Sequence, residues 1–358
     1  MSIPSVIHQL HIAKKHFITF GDYQMAKLQS EFIKFHNNIK LGTYDENETL
    51  RNKRDTLVDE IRDSLKDEKV PGTDKPLTFT KIDQGSYAMN TGVKPKNDDY
   101  DIDVGIIFDI TNDEYDSNQL KKLVRDKLNK RHNRTVEFNR PCITVKYASG
   151  YHVDLPVYSK NNDDLHIAWG KEHSTKNRCW YKAEPKKLNQ WVRDVSSNSD
   201  EREQFRRCVK ALKKWKQKHF SSNGNAAPPS IGLTIQARRS FVYSADSDLE
   251  ALVTIVRAIK NSFVQAWDTD SASLKHTTVV TLPVAPNKDV YYKMSLKQLD
   301  NYYDKADALL ESLEEAMDES SDHEASKILR KVFGEDFPLV EDSKATETVP
   351  YVVTGNNA

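Results

Sequence analysis

Between Thr78 and Phe108 the chain reads TFTKIDQGSYAMNTGVKPKNDDYDIDVGIIF, and Asp101-Ile102-Asp103-Val104 within it limits what can be built around it. Side chains on a strand alternate between faces, so Asp101 and Asp103 project together while Ile102 and Val104 face the other way, toward a core. Two carboxylates on one edge repel each other, and ionising both costs free energy unless a cation sits between them. A hard divalent cation such as Mg²⁺ takes oxygen ligands and usually arrives with phosphates. Just upstream, Gly85-Ser86 supplies a backbone that allows close approach and a hydroxyl donor, both suited to a phosphate group.

Two β-rich runs follow downstream, Thr135 to Tyr147 and Tyr151 to Tyr158, with Ala148-Ser149-Gly150 as the hairpin turn between them. In the second run Asp154 alternates with Val153 and Leu155, which puts its carboxylate on the polar face of the sheet. Asp is depleted in strands, so three on two strands need a reason. Asp101 and Asp103 alone would also fit a solvated edge strand. With Gly85-Ser86 before them and Asp154 after, the set fits two-metal phosphoryl or nucleotidyl transfer, in which cations about 3.5–4 Å apart hold the attacking and leaving oxygens. Asp101 and Asp103 are expected to bridge two Mg²⁺ ions, with Mn²⁺ able to substitute, and Asp154 to hold only the ion at the attacking hydroxyl. Ser86 is expected on the β- or γ-phosphate of the incoming nucleotide, with pyrophosphate as product.

A length of 358 residues makes two lobes the expectation. Lys+Arg and Asp+Glu balance at 53 each, so nothing draws the whole chain toward nucleic acid or membrane, and any basic site must be local. No run of about 18 apolar residues occurs, and the start lacks a basic region followed by an apolar core. Neither a membrane span nor a secretion signal is expected. Cys142, Cys179 and Cys208 are scattered and odd in number, which fits a reducing cytoplasm and offers no zinc-ligand spacing.

Residues 5 to 40 are predicted helical with a break near Thr19-Phe20-Gly21. Leu50, Leu57, Val58, Ile61 and Leu65 form a core-facing helical stripe, with Thr43 or Asp45 as its cap and Val70-Pro71-Gly72 as its end. Ser117 to Lys130 reads as a basic surface helix. Trp169, Trp180, Tyr181 and Trp191 stand in a mostly irregular stretch before a helix near Pro185. The chain turns small and polar at Ser196 to Asp200, which divides it into 1–198 and a helical lobe 199–338. Glu201 to Phe220 is a basic helix with Phe205, Val209, Leu212 and Trp215 or Lys216 on its buried stripe. Ser230 caps the next helix, a further helix runs from Asp246 to Trp267, and His276 to Pro286 is extended. Acidic helices at Leu296 to Glu319 and Glu324 to Phe333 follow, and the polar tail 339–358 is expected to be mobile.

GSYAMNTGVKP, YDIDVGIIFD and HVDLPVY together resemble the DNA polymerase β-type nucleotidyltransferases, and more narrowly the bacterial cGAS/DncV-like branch, the CD-NTases. A WY-x-x-x-P-x-x-L-x-x-W segment from Trp180 to Trp191, and VKALKKWK followed by PPSIGL, are similar to that branch as well, so the resemblance covers about residues 45 to 335. It implies an α+β fold: a mixed-sheet catalytic core, a helical C-terminal lobe and a long N-terminal helix spanning both. It also implies Mg²⁺-dependent synthesis of cyclic di- or trinucleotides from ATP, GTP or other NTPs, in the cytoplasm, as part of CBASS anti-phage defence with a downstream effector. Carried over by position, Asp101, Asp103 and Asp154 match the metal carboxylates, and Gly85 and Ser86 the phosphate-contacting pair. Lys210 matches a lysine on the donor triphosphate and Ser230 a serine that joins it, though a solvated lysine and a plain helix cap describe the same two residues.

Animal relatives place an aromatic after that serine where this chain has Ile231, so base stacking is not carried over to this position. The zinc insertion of the animal DNA sensor has no counterpart here, and activation by double-stranded DNA is not expected. Some defence systems of this kind conjugate the enzyme's C-terminus through an E1/E2-like protein; Ala358 could enter such a site, or end an ordinary frayed tail. The alternatives are a linear-oligonucleotide or protein-nucleotidylating enzyme and a non-catalytic nucleotide-binding scaffold. A scaffold has no need to hold three repelling carboxylates together.

Overall fold

The computed structural model describes residues 26–41, 44–96, 100–129 and 133–342, with the side chains of 44–47 left aside. The expected helical stretch 5–25, the cap at Thr43 or Asp45 and the tail that ends in Ala358 lie outside what is described. The N-terminal part is α1 (Gln29–Ile39) and α2 (Tyr44–Leu65), not one long helix. Its interruption is non-local in origin. Lys40 turns extended and pairs with Val93 in an antiparallel bridge, while Lys94 N–H donates to the Ile39 carbonyl (2.8 Å). Each helix then serves a different core: Phe32, Phe35 and Ile39 of α1 join the helical one, and Leu50, Leu57, Val58, Ile61 and Leu65 of α2 the sheet.

The sheet grows around the Asp strand. After β1 (Phe79–Gln84) and the short turn α3 (Gly85–Ala88) come β2 (Tyr100–Phe108) and α4 (Ser117–Leu128). From there β3 (Arg134–Phe138), β4 (Ile143–Tyr147), β5 (Tyr151–Leu155), β6 (Val157–Asn161), β7 (Asp164–Trp169) and β8 (Cys179–Ala183) complete an eight-stranded mixed sheet, ordered β3-β4-β5-β2-β6-β7-β8 with β1 on β2. Both runs read from the sequence are interrupted. The first breaks at residues 139–142 around Pro141, and the second at Pro156, which has no N–H for the ladder. β5 therefore pairs in parallel with residues 100–103 of β2, and β6 with residues 106–108. The aromatic stretch expected to be irregular forms β7 and β8, whose cross-strand pairs Ala168–Trp180 and Ile167–Tyr181 seat the rings. The surface helix α4 is anchored: Leu120, Lys121, Val124 and Leu128 are buried beneath the sheet.

The rest is α5 (Pro185–Arg193), α6 (Ser199–His219), α7 (Ser230–Ser240), α8 (Asp248–Asn261), the hairpin β9 (Val264–Asp268) and β10 (Ser273–Thr277), α9 (Leu296–Asp318) and α10 (Asp322–Phe333). The helix expected to reach Trp267 stops at Asn261, because β-branched and aromatic Val264 and Trp267 enter the two-stranded sheet. Asn198 caps α6, accepting from the N–H groups of Asp200 and Glu201. Helices α1 and α6–α10 share one buried apolar cluster; β2–β7, α2 and α4 share another. Among the described residues no helix is long and apolar enough to cross a membrane.

Candidate active site

The register of β2 against β5 puts Asp103 directly beside Asp154, with Asp101 two residues earlier on the same face. Carboxylate oxygens of all three lie within 4.8 Å of one another. The expected convergence is present. Asp154 is oriented by β4: Thr144, its antiparallel partner, donates its hydroxyl to Asp154 Oδ1 and accepts from Asn139 Nδ2 (2.9 Å). Burial first, and the Asp154 carboxylate second, push Asp103 up to about 7, with Lys213 pulling the other way. An all-oxygen donor set of this geometry suits a hard divalent cation.

On the other side of β2, Gln84 pairs with Asp103, and the chain turns at once into Gly85 and Ser86. Gly85 has φ +69, and a Cβ there would lie 1.8 Å from Asp103 Oδ2, so glycine is required both by the turn and by the carboxylate. Ser86 reaches the same cleft, and its carbonyl accepts from Thr91 N–H (2.9 Å).

Helix α6 contributes the cations, though not the one expected. Lys210 does not line the cleft; it is buried near His36, Lys40, Arg206 and Arg207, and desolvation lowers it to about 8. Lys213 takes the cleft position instead, donating to the Thr91 carbonyl (2.8 Å) and hydroxyl (3.0 Å), and is lowered to about 7 by burial and by its lysine neighbours. One turn on, Lys216 Nζ donates to Ser230 Oγ (2.6 Å). Ser230 is not the cap of α7 but its first residue. Pro229 occupies the cap position with no side-chain bond, which leaves the Ser230 hydroxyl free to accept from Lys216. The sequence signal for this pair was Lys216 falling on the apolar stripe of α6, where a lysine is out of place.

Gly85, Ser86, Asp101, Asp103, Lys213 and Ser230 line a cleft of about 1010 Å³ between the sheet and the helices. Pockets for one small ligand run from about 300 to 1,000 Å³, so this one lies at the upper end of that range. Sequence reasoning gave no role to several of its walls: Arg140, Trp169 and Tyr181 from the sheet, and Lys288 and Tyr292 from the segment after β10. Lys288 Nζ stands 3.8 Å from the Tyr181 ring, and Ala285 N–H donates to Glu184 Oε2 (2.9 Å), so that segment spans the cleft mouth. Ile231 also lines the cleft, with Tyr181 and Trp169 as nearby aromatic surfaces.

Residues 80–158 match the family model of the cyclic GMP-AMP synthase DncV-like nucleotidyltransferase domain. A cyclic GMP-AMP synthase from Escherichia albertii is 25% identical over 246 residues, covering 63% of this chain and 53% of the relative, so the match spans about half that protein's length. The apo crystal structure of Vibrio cholerae DncV superposes with a TM-score of 0.68 at 19% identity, over 88% of this chain and 97% of DncV. DncV in complex with the linear intermediate 5′ pppA(3′,5′)pG gives 0.66 at 18% identity, over 88% and 98%. The Gly-Ser turn and the two-strand carboxylate cluster lie within the residues that match the DncV-like nucleotidyltransferase model, and the chain shares the DncV fold.

Proposed function

We propose that the protein is a Mg²⁺-dependent nucleotidyltransferase that joins NTPs into a cyclic di- or trinucleotide and releases pyrophosphate. The observation that carries this reading is the meeting of Asp101, Asp103 and Asp154 within 4.8 Å beside a Gly85-Ser86 turn, at a cleft of about 1010 Å³. The three carboxylates would hold divalent cations, which would supply a lowered pKa for the attacking hydroxyl and charge neutralisation for the leaving pyrophosphate. Asp101 and Asp103 would hold both ions, and Asp154, fixed by Thr144, the one at the acceptor hydroxyl. The acceptor oxygen forms a bond to the α-phosphorus of the donor as the α–β anhydride bond breaks. Gly85 and Ser86 offer the donor's outer phosphates backbone and hydroxyl hydrogen bonds. Lys216, which donates to the cleft-lining Ser230, is assigned to the triphosphate in place of Lys210. Arg140, which no carboxylate pairs among the described residues, stands on the turn tied to Asp154 and so on the acceptor side. Mn²⁺ has the same preference for oxygen and is expected to substitute.

Similarity to DncV and to the Escherichia albertii cyclic GMP-AMP synthase supports a cytoplasmic role in CBASS anti-phage signalling through a cyclic-nucleotide-activated effector. Conjugation of Ala358 by an E1/E2-like protein belongs to the same proposal. Deleting the last residues and finding conjugates and phage protection unchanged would dispose of that part alone. Incubation with four labelled NTPs and Mg²⁺ tests the activity. A phosphatase-resistant product supports cyclisation, a phosphatase-sensitive ladder means linear synthesis, and no turnover means a scaffold.

A further inference from the structure

Helix α4 packs on the face of the sheet opposite Asp101 and Asp103, and it buries a lysine that the chemistry above does not use. Lys121 is 0% exposed, and its ammonium donates to the carbonyls of Asn139 (3.0 Å), Arg140 (2.9 Å) and Gly170 (2.6 Å). An ammonium has three N–H groups, so all are used. The Phe138 ring lies 4.3 Å from the same nitrogen. Burying a charge is costly, and for stability alone a well-packed apolar residue often serves as well. What the lysine adds is a bond between two separate main-chain segments. One is the turn between β3 and β4; the other is the residue that follows β7. Gly170 N–H also donates to the Arg140 carbonyl (3.0 Å), which closes the junction. Arg140 enters the cleft from the first segment and Trp169 from the second.

We propose that Lys121 is a positioning residue for the nucleotide site, holding the Arg140 turn and the Trp169 strand end at a fixed separation so that both side chains meet the acceptor nucleotide. The proposal rests on the reading of the cleft as a nucleotide site. Asp154 is held by its own register with Thr144 on β4, and the clamp reaches it only through the Asn139 side chain, which donates to the Thr144 hydroxyl.

Steady-state kinetics on Lys121→Met, Arg140→Ala and the double variant of the full chain test this. Lys121→Met is expected to raise the KM for NTP about tenfold while kcat changes less than about threefold. In the Arg140→Ala background the same change should add less than about twofold, because the two residues act through one contact. Multiplying effects, or an unchanged KM in a folded Lys121→Met, would overturn the proposal. Hydrogen exchange supplies a readout that needs no turnover. The amides of Gly170 and Asn139, bonded to the carbonyls of Arg140 and Cys142, should exchange faster in Lys121→Met while those of α2 do not. Unchanged exchange at both amides would refute the clamp even if the wild-type chain made no product, whereas absence of product would count against the functional reading instead. Should Lys121→Met fail to fold, Lys121→Gln, with two amide N–H groups at shorter reach, takes its place in the same comparisons.

Discussion

At Gly85 a single missing carbon decides whether the carboxylate cluster can exist. Any Cβ would fall 1.8 Å from Asp103 Oδ2, and the φ of +69 disfavours an L side chain as well. Gly85→Ala should therefore cost about 1–2 kcal/mol from the left-handed backbone and, by displacing Asp103, about a hundredfold or more in kcat. A variant with half the wild-type rate would show that Asp103 does not need its present position; thermal unfolding and initial rates measure both effects. Asp103 also sets a pH dependence. Its pKa is raised from 3.8 to about 7, so between those values the folded protein keeps a proton that the unfolded chain has lost. In the metal-free protein this group's contribution to stability consequently falls as pH rises through that window. Lys213, lowered from 10.5 to about 7, acts with the opposite sign at higher pH, where the unfolded chain holds the extra proton and stability rises. A bound divalent cation needs Asp103 deprotonated, so the Tm gain on adding Mg²⁺ should grow from pH 6 to 8 about the Asp103 value of about 7. Asp103→Asn should abolish that growth, and a Tm gain independent of pH in the wild type would contradict the assignment.

Whether an element could be read from the sequence depended on whether its determinants were local. Strand alternation in Asp101-Ile102-Asp103-Val104 and the Ala148-Ser149-Gly150 turn are local, and they were enough to bring three carboxylates together. The helix break at Lys40 depends on Val93, more than 50 residues away, and no local pattern announces it. Strands β7 and β8 were hidden because His166, Trp169, Trp180 and Lys182 break the apolar alternation that marks a strand. The choice among Lys210, Lys213 and Lys216 on α6 turns on how that helix is rotated against α1 and α7, which is a tertiary fact. The segment from Leu282 to Tyr292 was read only as extended, yet it closes the cleft through Lys288 on Tyr181. Such a cation–π contact is worth about 0.5–1 kcal/mol at an exposed site. Lys288→Gln should thus raise the KM for NTP about two- to fivefold with no loss of Tm. An unchanged KM would mean that this segment does not shape the occupied cleft.

The whole molecule places its chemistry where two separately packed cores meet. The helical core has Phe32 and Phe35 of α1 against Phe333 and Phe337, with Met89 of the segment before β2 joining it, and the sheet core closes around Val104, Ile106 and Phe108. Polar bonds that cross between them include Asn189 to the Asp83 carbonyl, Gln217 to the Lys94 carbonyl, Lys94 to the Ile39 carbonyl, and Lys213 to Thr91. Lys213 is the most expensive of these, a buried ammonium whose nearest charges include Lys210 and Lys216. If it served stability, a hydrophobic residue of similar length would do better, because replacing a buried charge often costs nothing or stabilises. If it serves the site, it keeps Asp103 ionisable and holds the Gly85-Ser86 turn in place through Thr91. Lys213→Met separates the two roles. Tm at pH 7 should hold or rise, kcat should fall about a hundredfold or more, and Mg²⁺ stabilisation should set in at higher pH because Asp103 has lost its counter-charge. A variant that unfolds early but turns over normally would instead make Lys213 a structural bolt between the cores.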